Sequence, residues 1–124
     1  MSDQTSAVSG FDVVVTTHPG GAVVVTPSGE IDLLTAPRLA EGFRTALGPE
    51  TTVIVVDLGA VTFFGSAGVA ELVGVAERTA ERDVPLRIVT GSSVVERVLQ
   101  ISGMVRVLDL RPSVAEALAI HSRP

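Results

Sequence analysis

Apolar residues recur along the chain with two different periods, and the switches between them outline the elements. Phe11 to Thr17 and Ala22 to Thr26 are runs of strand formers on either side of His18-Pro19-Gly20-Gly21, a turn signal, so they predict a hairpin. Pro27-Ser28-Gly29-Glu30-Ile31-Asp32 either continues the second strand or closes it in a loop. Thr35-Ala36-Pro37 has the character of a helix start, because proline is tolerated in the first turn. Leu39, Phe43, Ala46 and Leu47 then share one helical face until Gly48-Pro49 stops it. Val53-Ile54-Val55-Val56 shows no polar alternation, which suggests a strand covered on both faces in the middle of a parallel sheet, with Asp57 at its close.

From this strand a short loop containing Phe63-Phe64-Gly65-Ser66-Ala67-Gly68 leads into the next helix. Its apolar stripe is expected at Val69, Leu72, Val73, Ala76 and Ala80, and Asp83-Val84-Pro85 breaks it. Leu86 to Thr90 reads as a short strand. Ser93-Val94-Val95-Glu96 has the form of a capping box and predicts a helix with Val94, Val98, Leu99 and Ile101 inward, ending before Gly103. Val105 to Leu110 offers a last strand, and Ser113-Val114-Ala115-Glu116 opens a C-terminal helix with Val114, Ala117 and Leu118 inward. The order β-β-α-β-α-β-α-β-α predicts an α/β fold. Its sheet is mixed but mostly parallel, with about four to five strands, an N-terminal hairpin and about four helices. Residues 1–9 read as a flexible polar tail, residues 10–120 as the domain and residues 121–124 as a second tail.

Composition narrows the classes. A chain of 124 residues with 46% apolar content forms one domain with a real core. No apolar run approaches the roughly 20 residues needed to span a bilayer, and the N-terminus lacks the basic-then-apolar pattern of a signal peptide. With no cysteine, neither a disulfide framework nor a thiolate metal site is expected, and a cytoplasmic protein without membrane insertion fits. The net charge is −5, all nine basic residues are scattered arginines, and Tyr and Trp are absent, so direct nucleic-acid binding is not expected. His18 and His121 lie far apart without a nearby carboxylate pair. Gly65-Ser66-Ala67-Gly68 is not the G-x-S-x-G of a nucleophile elbow, and no glycine stretch ends in G-K-[ST]. The chain is therefore read as non-enzymatic, with no cofactor or metal.

In open α/β sheets the functional crevice lies at the carboxyl ends of the strands. Asp32 follows the second strand and Ser66 follows the central one, so both are expected on one rim. Glycines at a helix start let another molecule approach the backbone, and Ser66 reads both as the helix N-cap and as part of that surface. Gly68 serves either contact or close helix–sheet packing. Phe63 and Phe64 should divide, one to the core and one to the rim, because successive strand-like residues face opposite ways. Leu33 and Leu34 are candidates for an exposed apolar contact. A small ligand held at the Ser66 helix start is a third, weaker reading.

Two stretches carry a family resemblance. Gly29-Glu30-Ile31-Asp32 with Thr35-Ala36, and Val55-Val56-Asp57-Leu58 followed by Val61-Thr62-Phe63-Phe64-Gly65-Ser66-Ala67-Gly68, resemble signatures of the STAS domain, specifically of bacterial anti-sigma factor antagonists. Ile101-Ser102-Gly103-Met104 is similar to a third element. The resemblance implies a STAS fold and a non-catalytic interaction module that binds an anti-sigma factor with a kinase-like ATPase fold and so frees a sigma factor. It also implies a switch: phosphorylation by that serine kinase releases the antagonist, and a PP2C-type phosphatase restores it. Joined to the rim, it places the partner surface on Asp32, Leu33, Leu34, Thr35, Phe64, Gly65, Ser66, Ala67 and Gly68, with Glu71 and Val75 from the following helix. The chain departs from the family pattern at Gly65, where the pattern has Asp, and at Ala67, where it has the accepting hydroxyl. Either Ser66 becomes the phospho-acceptor or the protein binds without phosphorylation control. The alternative function is an accessory subunit of a transporter or signalling complex.

Overall fold

The computed structural model describes residues 10–121; the expected tail 1–9 and residues 122–124 of the expected tail 121–124 lie outside them. The elements are β1 (Asp12–Thr17), β2 (Ala22–Ile31), α1 (Ala36–Ala46), β3 (Val53–Asp57), β4 (Ala60–Phe64), α2 (Ser66–Glu81), β5 (Leu86–Val89), α3 (Ser93–Ile101), β6 (Asp109–Arg111) and α4 (Val114–His121). His121, expected in a tail, closes α4.

The strands form one sheet in the order β1-β2-β3-β5-β6, with β4 also paired to β2. β1 and β2 make the expected antiparallel hairpin, and the other pairings are parallel. β3 holds the centre: Val53, Ile54, Val55 and Val56 are fully buried, each contributing about 1.5–3 kcal/mol over an exposed side chain. Alternation then assigns the two faces. Val23, Val25, Ile54, Val56 and Ile88 pack with Leu39 and Phe43 of α1, Leu72 and Val75 of α2, and Val95 and Leu99 of α3. Val24, Val55 and Val89 face the other way, against Ala117, Val114 and Leu118 of α4.

β4 is a strand where the sequence pattern predicts loop. The Asp57 side chain accepts a bond from the Gly59 N–H at 3.0 Å and closes a tight turn. The chain then pairs alongside the second half of β2, Ser28 to Ile31. Gly29 pairs with Val61 and Glu30 with Phe63, so Thr62 is the extra residue of a bulge. That bulge breaks the in–out alternation by which β4 would have been recognised. Opposite it, Gly29 has φ +94°, and a Cβ there would collide with the Gly10 carbonyl.

Three further expectations need correction. The buried stripe of α2 is Gly68, Leu72, Val75 and Thr79, while Val73 and Ala80 face solvent. An Ala/Val-rich helix offers two apolar stripes, and packing chooses the one where Gly68 allows the closest approach. α3 is capped by Ser92, not Ser93, through Val95 N–H, and it buries Val95 and Leu99 while Val94 and Ile101 are exposed. Glu96 instead accepts a hydrogen bond from the Thr90 hydroxyl at 3.1 Å. The last strand begins at Asp109, because Met104–Arg106 form a 3-10 turn.

Candidate functional site

The rim exists because two parallel strands end side by side. Ile31 and Phe64 are register partners at the ends of β2 and β4. The Gly65 N–H donates to the Ile31 carbonyl at 3.0 Å, tying the two ends together. The chain beyond each strand therefore emerges next to the other, and Asp32 and Ser66 line one concavity of about 370 Å³ with Leu33, Leu34, Phe63, Gly65 and Ala67.

The loop from Asp32 to Thr35 is held by its own polar groups. An Asp32 carboxylate oxygen accepts from Leu34 N–H at 2.9 Å and Thr35 N–H at 3.1 Å. The Thr35 hydroxyl accepts from Asp32 N–H at 2.9 Å and donates to the Glu30 carbonyl at 2.8 Å. Asp32 carbonyl accepts from Ala36 N–H at 2.8 Å, leading directly into α1. A loop closed this tightly leaves its middle side chains no core to enter: Leu33 is 85% and Leu34 78% exposed.

Across the groove, the β4 bulge turns Phe63 outward, 49% exposed, and Phe64 inward, 2% exposed. Ser66 is the first residue of α2, and the N-cap is Gly65, which makes no side-chain cap bond. The Ser66 side chain is exposed at the groove edge, and Ala67 beside it is half-buried.

A STAS domain family model matches residues 13–117. The chain belongs to the STAS domain family. Two curated relatives span nearly its whole length. Anti-sigma-F factor antagonist RsfB of Mycobacterium tuberculosis (strain H37Rv) is 33% identical over 113 residues, 91% of each chain. Anti-sigma-F factor antagonist RsfA of the same organism is 30% identical over 117 residues, 93% of this chain and 91% of that one. The crystal structure of an anti-sigma factor antagonist from Mycobacterium paratuberculosis matches with a TM-score of 0.84 at 28% identity, over 94% of this chain and 98% of that one.

Within the STAS domain, the residues expected at the partner surface separate into two groups. Asp32, Leu33, Leu34, Gly65, Ser66 and Ala67 meet at the groove. Thr35, Phe64, Gly68 and Val75 do not reach it as free surface. Thr35 is 3% exposed with its hydroxyl spent inside the loop. Phe64 and Val75 are core residues, at 2% and 0% exposure. Gly68 is buried where a Cβ would stand 2.7 Å from the Phe64 ring, which makes its role close helix–sheet packing. Glu71 is half-buried and outside the groove lining. Phe63 is the groove residue absent from the expected set; the pair's division was readable, but which ring faced out depended on the bulge.

Two of the other concavities formed by the described residues are larger and lie away from the rim. One, of about 550 Å³, lies at the opposite end of the sheet, among Val15, Ala22, Val23, Ala46 and their neighbours. The other, of about 520 Å³, lies beside α3 and β6. There Arg111 is held above its ordinary pKa, chiefly by its side-chain hydrogen bond to Asp109. Among the described residues, no group of three or more His, Cys, Asp or Glu side chains could hold a metal ion.

Proposed function

We propose that this STAS domain is an anti-sigma factor antagonist: it binds an anti-sigma factor through the Asp32–Ser66 rim, and a sigma factor is thereby freed for transcription. The observation that carries the reading is the pair of leucines standing in water beside Ser66, 85% and 78% exposed. Each leaves about 1.5–3 kcal/mol of burial unused in the isolated chain, which marks a surface made to be covered. The names of the two mycobacterial relatives support the identity of the partner. They also favour this reading over an accessory role in a transporter. The partner is an anti-sigma factor of the kinase-like ATPase type, and the encounter takes place in the cytoplasm. Among the described residues, no helix is long and apolar enough to cross a membrane.

Ala67 has no hydroxyl, and among the described residues lining the groove Ser66 alone carries one. Phosphorylation control, where it operates, acts on Ser66, with a PP2C-type phosphatase as its reversal. A phosphoryl group there adds about −1.5 to −2 charges to an apolar contact. The test is calorimetric titration of purified anti-sigma factors with the wild-type chain, Ser66→Glu and Asp32→Lys. The wild type should bind and both variants should lose about a hundredfold, equivalent to about 2.8 kcal/mol. Full binding by both variants overturns this placement of the interface. Intact-mass measurement after incubation with the partner and ATP then shows either a single phosphoryl adduct mapping to Ser66 or an unmodified, unswitched chain.

A further inference from the structure

We propose that Asp32 serves this interface as a positioning residue, and that the contact itself is apolar, made by Leu33, Leu34 and Phe63 against an uncharged surface of the anti-sigma factor. The proposal rests on the function proposed above and assigns roles within its rim.

Among the described residues lining the groove Asp32 alone is charged, so a charged contact from them would have to use it. Its backbone and one carboxylate oxygen are already committed. That oxygen accepts from Leu34 N–H and Thr35 N–H at 2.9 and 3.1 Å. The Asp32 N–H donates to the Thr35 hydroxyl at 2.9 Å and its carbonyl accepts from Ala36 N–H at 2.8 Å. A side chain that caps the loop from within in this way sets the loop's shape. What the shape presents is Leu33 and Leu34, with Phe63 held on the facing strand by a different device, the β4 bulge. Two independent backbone features thus turn apolar side chains out toward one groove. Gly65 and Ala67 add no charge or hydroxyl between them. A partner that fits this surface buries apolar atoms and needs no cation opposite Asp32.

Asparagine separates the two roles. Asp32→Asn keeps the oxygen that accepts the loop N–H groups and replaces the other carboxylate oxygen with an amide, removing the charge. The experiment measures calorimetric affinity of the full chain for the anti-sigma factor, with thermal unfolding of each variant alongside. Asp32→Asn should bind within about threefold of wild type, while Asp32→Ala should lose more than about tenfold. The double variant Leu33→Ser with Leu34→Ser should melt like wild type, since neither side chain is in the core, and should also lose more than about tenfold. If Asp32→Asn falls as far as Asp32→Ala, the carboxylate is a charged contact and the positioning role is wrong. If Asp32→Ala binds like wild type, the positioning role is equally wrong. Wild-type affinity in the double serine variant removes the apolar contact. A wild-type chain that binds no anti-sigma factor overturns the parent reading, and this one with it.

Discussion

Gly68 shows how one residue without a side chain determines the geometry of the rim. A Cβ at this position would lie 2.7 and 2.9 Å from two ring carbons of Phe64 and 3.0 Å from a methyl of Ile31. Both neighbours are buried and neither can swing clear. Gly68→Ala gains up to about 1 kcal/mol of helix propensity, but overpacking of this kind costs about 1–3 kcal/mol. A net loss of about 1–2 kcal/mol is expected, read as a fall of several degrees in the thermal unfolding midpoint by circular dichroism. An unchanged or raised midpoint would show that α2 shifts freely on the sheet. The sequence made Asp32, Leu33, Leu34 and Ser66 legible as rim residues, because strand ends in a parallel sheet are recognisable places. It put Phe64 instead of Phe63 on the rim, and it counted Thr35 and Val75 as surface. Those assignments depend on side-chain direction, which a bulge or a helix rotation of one position reverses.

At the scale of elements, α1 and α2 are joined at their C-terminal ends by one arginine. Arg82, just past α2, donates from its two guanidinium amino groups to the Leu47 carbonyl at 3.0 Å and the Gly48 carbonyl at 2.9 Å. These are carbonyls at the end of α1, where helix geometry leaves acceptors without intrahelical partners and where positive charge is favourable. Arg82 is exposed, so solvent reduces the benefit, and Arg82→Ala is expected to cost about 1 kcal/mol. A urea titration should show a lower midpoint with an unchanged slope; an unaltered midpoint would mean that water replaces both bonds at no cost. Helix starts and stops were readable wherever proline or glycine punctuates the chain, as at Pro37, Gly48-Pro49 and Asp83-Val84-Pro85. The cap of α3 was misplaced by one residue because Ser92 and Ser93 are chemically equivalent. The sequence cannot say which hydroxyl meets the Val95 N–H.

The whole molecule is asymmetric. Three helices cover one face of the sheet, and the cluster of Val24, Val55 and Val89 on the other face is closed by α4. Ala117 is fully buried in that cluster. Ala117→Asp would place an unpaired carboxylate among valines, and a destabilisation above about 3 kcal/mol is expected. Chemical denaturation checks it, and a loss under about 1 kcal/mol would mean that α4 can lift away without exposing the centre of the sheet. Because Ala117 packs at β3 and β5 and not at the groove, a folded fraction of this variant should still bind the partner. Periodicity and punctuation alone were enough to establish the α/β class, the N-terminal hairpin and the buried central strand. Those features depend on which residues are apolar and where the chain must turn, and both are local. Tertiary structure alone decided the sixth strand, the face of α2 and the outward turn of Phe63. Each of these required β4 to lie against β2, a pairing between segments about thirty residues apart that no local pattern encodes.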